Sequence, residues 1–338
     1  MGARDWFRAL QVPVLPVSAG PAVVGGLVGA RVSGTLDVPV LLLVATSLVA
    51  VQVGANLQKG LVESADSPTA PRRPRSAFVF DAGAVRRTGA SDRSLRRVMY
   101  ACYGGGAALG VLVVALTSDV RLLVFGGLGA LLAFSYSGPP LRLSYRGVGE
   151  VSTFLAFGPI TVLGAALAQE SAFLDLDPWV TWDHPRNHVT FTVLLGTAMG
   201  ALAALISFAR YFPAAAEDRQ KGKRTPVVRL GAPAASLVFL LIAIFGAASF
   251  YLTAGGHALP GPYDCWPTAS VVQSLGLGAT ALVCAGLLLA AGAAAAYYLP
   301  RGGRACERAV ALTVLLHMAL SAIVALDVGP VGPWLVCS

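Results

Sequence analysis

The sequence predicts an all-α membrane protein that crosses the bilayer about nine times, and three observations predict it. Of 338 residues, 56% are hydrophobic and only 12% are charged, about half the charged share of an ordinary soluble domain. The apolar residues fall in runs close to the ~20 residues that a helix needs to cross a hydrocarbon core. The basic residues between these runs sort strongly to one side.

In order, the runs are roughly 15–33, 38–57, 98–117, 121–136, 151–169, 190–208, 228–252, 271–298 and 309–327. Helix is the expected state of each, because hydrocarbon satisfies no backbone polar group and the alternation of membrane-barrel strands is absent. The chain reads as a single transmembrane domain, 1–338. Glycines cluster within spans, as in Gly25, Gly26 and Gly29, where small residues let membrane helices approach closely.

Orientation follows from charge. With the N-terminus in the cytoplasm and the C-terminus outside, all of the 25 Lys and Arg residues except Arg31, Arg121 and Arg186 fall on the inside. The outer loop 169–189 instead carries Glu170, Asp175, Asp177 and Asp183. This is the asymmetry of the positive-inside rule, so the net charge of +8 is a topology signal and no nucleic-acid partner is expected. Met1 to Leu10 is a basic amphipathic stretch without a small-residue cleavage site after the first apolar run, so that run is expected to stay as a span.

The cysteines show no paired spacing. Cys102 and Cys284 fall in spans and read as small apolar packing residues, whereas Cys265 and Cys337 fall on the outer side, where a disulfide can persist. His184 and His188 lack a third ligand for a metal site. No span carries the buried paired charges of an ion or proton pathway, which argues against a transporter.

Two inside loops stand out. Residues 58–97 are rich in Pro, Arg and Ser and read as a flexible segment. Residues 209–227 are short and dense in charge. Their spacing suggests two four-helix halves plus one further span, with both loops capping one cavity. In the stretch YFPAAAEDRQKGKRTPVVRLG from Tyr211 to Gly231, Asp218, Arg219, Lys221, Lys223, Arg224 and Arg229 crowd one membrane boundary. Basic groups beside a carboxylate suit a diphosphate, whose oxygens accept charge-assisted hydrogen bonds. On charge alone, a loop facing lipid head groups fits equally well.

The order of residues separates the two. GKRTPVVRLG resembles the GKRT-x-x-VRLG segment of the UbiA superfamily of membrane prenyltransferases, in the branch that prenylates 1,4-dihydroxy-2-naphthoate. Trp6-Phe7-Arg8-Ala9-Leu10 with Pro13 and Pro16, QVGANL from Gln52 to Leu57, and YSGPPLRLSYRGVGEVSTFLAFGPITVLG from Tyr136 to Gly164 resemble the same branch in the same order.

That resemblance implies an enzyme that binds an isoprenoid diphosphate through Mg²⁺ held by two aspartate-rich loops, and transfers the prenyl group to a quinone-precursor-like aromatic acceptor. Carried onto matching positions, it implies substrate contacts from Asn56, Lys59, Arg142, Tyr145, Arg146, Lys223 and Arg224. The sequence departs from the pattern at the acids. The first motif is of the Asn-Asp-x-x-Asp type, and here Asn56 passes directly to Leu57-Gln58-Lys59-Gly60, as though the aspartates were deleted. The second motif carries Asn and an acid where this chain has Ala209 and Ala214, leaving Asp218 as its surviving acid. Asp218 is then the catalytic residue expected, with Glu63 or Asp66 as further Mg²⁺ ligands. A second reading is a catalytically degenerate relative that holds a quinone or isoprenoid lipid, as a subunit of a larger membrane complex.

Overall fold

A computed structural model of the chain describes residues 3–66, 74, 76–170, 188–254 and 269–328, and among these every regular element is helical. The N-terminal helix α1 (Ala3–Ala9) is followed by the first span, α2 (Pro16–Ser33), and by α3 (Val38–Ala65). A short α4 (Ala84–Arg87) precedes α5 (Asp92–Thr117) and α6 (Leu122–Ser137). The single turn α7 (Leu143–Arg146) leads into α8 (Gly149–Leu155) and α9 (Thr161–Gln169), one span broken at Gly158-Pro159. Next come α10 (His188–Ala209), α11 (Tyr211–Gln220), α12 (Pro226–Leu230), α13 (Ala232–Ala254), α14 (Ala269–Tyr298) and α15 (Gly303–Val328).

Among the described residues, eight helices are long and apolar enough to cross a membrane, and α6 is a shorter apolar helix beside them. Each apolar run of the sequence thus becomes a helix. Their outer faces stay apolar where they meet no protein: Leu116, Val124, Leu237, Leu241 and Leu326 are all exposed. A surface of this kind is stable against lipid and not against water.

Helix starts follow local chemistry. Asp37 accepts from the Val40 backbone N–H at 2.9 Å with Pro39 in the first turn of α3. Ser91 caps α5 and Thr225 caps α12, which opens on Pro226. The main core joins α2, α9, α10, α13, α14 and α15. At Gly25 and Gly29 a Cβ would come within 2.3 Å of the Val162 and Ala166 carbonyls, so only glycine lets α2 lie this close to α9.

Among the described residues, the segments 58–97 and 209–227 hold more helix than their composition predicts. Residues 58–65 prolong α3 because Leu57, fully buried, packs with Val85, Leu95 and Met99 and so carries the helix past the span. Within 209–227, α11 and the start of α12 occupy most of the length. The acids Asp175, Asp177 and Asp183, Arg186, His184, Cys265 and Cys337 lie outside the described residues, as does the side chain of His188. Cys284 is buried and Cys102 partly so, and both are free thiols.

Candidate functional site

A cavity of about 620 Å³ runs between α3, α5, α6 and the α8–α9 span. Most of its wall is apolar, built from residues such as Val44, Val51, Leu122, Phe125, Phe157 and Ile160. At one end the lining turns polar, with Gln11, Gln52, Asn56, Lys59, Tyr136 and Arg210. Tyr100, Val111 and Leu123 also line it while being exposed on the outer faces of α5 and α6, so the chamber reaches the molecular surface sideways.

The polar end is assembled from distant parts of the chain. Arg210, immediately after α10, donates through Nε to the Phe78 carbonyl at 3.1 Å and through Nη2 to Gln11 Oε1 at 2.6 Å. Asn56 donates to the Leu10 carbonyl at 3.0 Å and Gln52 to the Val14 carbonyl at 3.2 Å, which clamps the N-terminal segment onto α3. Asn56 therefore lines the cavity while its amide N–H₂ is spent on the backbone. Lys59 Nζ sits 4.2 Å above the Phe80 ring and 5.5 Å from that of Tyr136.

One turn beyond Lys59, Glu63 gathers cations. Lys223 Nζ lies 2.5 Å from Glu63 Oε1 and 3.1 Å from Asp218 Oδ1. Lys221 Nζ is 3.7 Å from Glu63 Oε2, and Lys59 Nζ is 4.0 Å from Oε1. Glu63, Asp218 and Lys223 are each at most 4% exposed. Burial alone would push the Lys223 ammonium down, but the facing carboxylates of Glu63 and Asp218 outweigh it and hold the group above its usual 10.5. Burial raises the Asp218 carboxyl above its usual 3.8 despite the lysine. Burial also pushes the Arg210 guanidinium down, to about 10, which leaves it cationic at neutral pH.

Of the residues that the sequence singles out, the fold thus brings Lys59, Glu63, Asp218 and Lys223 together. Asp66 goes elsewhere. It accepts from Arg142 Nη2 at 2.6 Å and from the Tyr145 hydroxyl at 2.8 Å, joining the end of α3 to α7. Arg224 is exposed, and its backbone N–H, not its guanidinium, donates to the Tyr145 carbonyl at 2.8 Å. Arg146 is exposed and donates to the Pro140 carbonyl. Lys221 belongs to the basic cluster of the sequence, whereas Arg210, Tyr136 and Gln11 are not singled out there, although a lone arginine just after the apolar run 190–208 is a signal for the first.

Asp218, Glu63 and Asp66, expected as Mg²⁺ ligands, are not brought together as a set. Among the described residues, no three His, Cys, Asp or Glu side chains converge as a metal site. Both oxygens of Glu63 face lysines, Asp66 is held by Arg142 and Tyr145, and Lys223 stands between the two remaining acids. Of the oxygens on these three acids, Asp218 Oδ2 is buried without a hydrogen-bond partner. The residues as arranged do not fit a resident Mg²⁺, which takes carboxylate oxygens at about 2.1 Å in near-octahedral geometry. The acids were not simply lost from a loop, either. Counted from Asn56 along unbroken α3, the two aspartate positions of the first motif are held by Leu57 and Gly60.

These features define a polytopic helical membrane protein with one largely apolar chamber ending in buried cations. The fold is that of a UbiA homologue from Archaeoglobus fulgidus solved bound to GPP and Mg²⁺, with a TM-score of 0.60, 12% identity, and coverage of 95% of this chain and 99% of that one. No family model matches the chain. It is 28% identical over 275 residues to 2-carboxy-1,4-naphthoquinone phytyltransferase of Synechocystis sp., covering 80% of this chain and 78% of the relative. To 1,4-dihydroxy-2-naphthoate octaprenyltransferase of Escherichia coli it is 25% identical over 228 residues, covering 68% and 69% respectively. In sequence the chain is similar to prenyltransferases of the 1,4-dihydroxy-2-naphthoate branch, and it shares the fold of UbiA homologues.

Proposed function

We propose that the protein is a membrane prenyltransferase that moves a prenyl group from an isoprenoid diphosphate to a quinone-precursor-like aromatic acceptor. The observation that carries this reading is the chamber of about 620 Å³, apolar along its length and closed at one end by Lys59 and Arg210. An apolar tail with a multiply charged head matches that division, and the volume falls in the usual range for ligand sites, roughly 300–1,000 Å³.

In this reading the segments 58–97 and 209–227 cap the cationic end from the cytoplasmic side, with the N-terminus inside and the C-terminus outside, as the basic-residue asymmetry supports. The allylic C–O bond breaks with both electrons kept by the diphosphate oxygen, and the charge that grows there faces Lys59 and Arg210. Preset cations in a water-poor site stabilise developing charge far better than the same groups in water. A ring carbon of the acceptor supplies the electron pair of the new C–C bond, and the ring then loses a proton or a carboxyl group to recover aromaticity. Tyr103, Phe134, Tyr136 and Phe157 line the chamber, and aromatic faces stabilise an electron-poor carbon beside them.

The binder reading rests on the missing acids. Lys223 weakens that argument, because the two acids that remain already face a cation. The test is to incubate purified protein with geranylgeranyl diphosphate and 1,4-dihydroxy-2-naphthoate. Release of pyrophosphate together with a prenylated product of matching mass is expected. Absence of both, with an unreacted quinone or prenyl lipid copurifying in stoichiometric amount, would establish the binder instead.

A further inference from the structure

Beyond the polar end of the chamber, where Lys59 lines the wall, Glu63, Asp218 and the lysines behind it are arranged around a protein-borne cation. Lys223 Nζ contacts Glu63 Oε1 and Asp218 Oδ1 at 2.5 and 3.1 Å. A divalent ion bridging two carboxylates would have to occupy that same space. The other oxygen of Glu63 faces Lys221 at 3.7 Å, and Lys59 stands 4.0 Å from the first. Any ion approaching Glu63 therefore meets three ammonium groups at short range. Two like charges ~4 Å apart repel by about 4 kcal/mol near a protein surface, so a metal would need to displace lysine and not merely join it.

The charge balance points the same way. Lys59, Lys221, Lys223 and Arg210 still outnumber Glu63, Asp218 and Glu217, the last of which also pairs with Lys221 at 3.7 Å, and the excess faces the polar end of the chamber through Lys59 and Arg210. A site lined mainly by acids needs a metal before it can receive a polyanion. One with surplus ammonium and guanidinium groups is already charged to receive it. Leu57 and Gly60, at the aspartate positions of the first motif, belong to the same arrangement. No acid there competes for the lysines.

We propose that Lys223 is the resident cation of this site, and that the chain binds its prenyl diphosphate through protein ammonium and guanidinium groups without a divalent metal. The proposal rests on the prenyl diphosphate reading above. Its chemistry is binding alone: no bond forms or breaks.

The test uses the full-length protein in detergent micelles with farnesyl S-thiolodiphosphate, an unreactive diphosphate probe, titrated in EDTA and again in excess Mg²⁺. Affinities agreeing within about threefold in the two buffers support the proposal. Binding that appears only with Mg²⁺, or weakens roughly tenfold or more in EDTA, overturns it and leaves the prenyl diphosphate reading standing. No binding in either buffer overturns both. A second arm replaces the cation. In Lys223→Met the space between Glu63 and Asp218 is freed of its charge, so the variant is expected to take up Mn²⁺, seen as loss of the free-ion electron paramagnetic resonance signal. Probe binding should then become metal-dependent. A folded Lys223→Met protein that takes up no more Mn²⁺ than wild type would show that Lys223 holds no cation position, and the proposal falls. The wild-type comparison is independent of how well the variant folds.

Discussion

Lys223 Nζ reaches Glu63 Oε1 at 2.5 Å across 160 residues of sequence, and this buried contact joins the end of α3 to the segment after α11. Replacing Lys223 with Ala leaves Asp218 without its cation and Glu63 with only the more distant Lys59 and Lys221. Breaking a buried pair from one side typically costs ~3–5 kcal/mol. The lower end, about 3 kcal/mol, is expected here because two lysines still face Glu63. The midpoint of thermal unfolding in detergent, compared with wild type, measures it. An unchanged midpoint would show that the pair contributes nothing to the fold.

The same contact sets an alkaline limit. The Lys223 ammonium is held above its usual 10.5 in the folded protein, so the folded state binds the proton more tightly than the unfolded chain does. Stability from this group is fully present below 10.5 and is lost as the pH rises from there through the folded value. Unfolding midpoints measured from pH 9 upward are expected to fall beyond about 10.5. In Lys223→Met the fall should be shallower, and equal slopes for the two proteins would contradict the assignment.

Head-group binding should divide the basic residues by burial. Lys59 lines the chamber, whereas Arg224 is exposed and contributes a backbone hydrogen bond to α7. A charge-assisted hydrogen bond is worth ~1.5–3 kcal/mol, so Lys59→Met should weaken a prenyl diphosphate analogue by about ten- to a hundredfold. Arg224→Ala should change it by no more than about threefold. Isothermal titration of both variants decides, and the reverse order would move the head group away from the chamber end.

How far the sequence alone leads is visible in these residues. The spans were legible because run length and hydropathy act locally, and the GKRT stretch marked the charged boundary because its residues are adjacent. The contact of Glu63 with Lys223 was not legible, since nothing within either segment says which carboxylate meets which lysine. The contacts of Asp66 were hidden for the same reason. Its partners, Arg142 and Tyr145, lie more than seventy positions away. Arg210 was visible as a basic residue ending an apolar run, yet only its bonds to Phe78 and Gln11 place it at the chamber.

Asp66 ties α3 to α7 through Arg142 and Tyr145, and no metal role is expected of it. Its ion pair with Arg142 is about one third exposed on both sides, and exposed pairs contribute ~1 kcal/mol at most. Asp66→Asn should therefore lower stability by about 1 kcal/mol. Divalent-ion uptake, followed with Mn²⁺, should be the same as in wild type. A loss of Mn²⁺ binding on this substitution would restore Asp66 to a metal site.

The last prediction concerns the acids missing from the first motif. Leu57 is fully buried against Val85, Leu95 and Met99, so an aspartate there would place a carboxylate among apolar side chains with no partner. An uncompensated buried charge costs several kcal/mol even after the group shifts to its neutral form. At Gly60 an added Cβ would come within 2.6 Å of Val85 Cγ1, so a side chain there would push α4 from its seat. Restoring aspartate at Leu57 is thus expected to destabilise the protein by at least about 3 kcal/mol and to create no metal-dependent binding. Leu57→Met, which keeps the volume and the apolar contact, should cost less than about 1.5 kcal/mol. Thermal unfolding of the two variants, with Mn²⁺ titration of any folded Leu57→Asp protein, makes the comparison. A stable Leu57→Asp protein that takes up Mn²⁺ would mean the first motif can be rebuilt in place, and that the apolar packing around Leu57 does not exclude a metal.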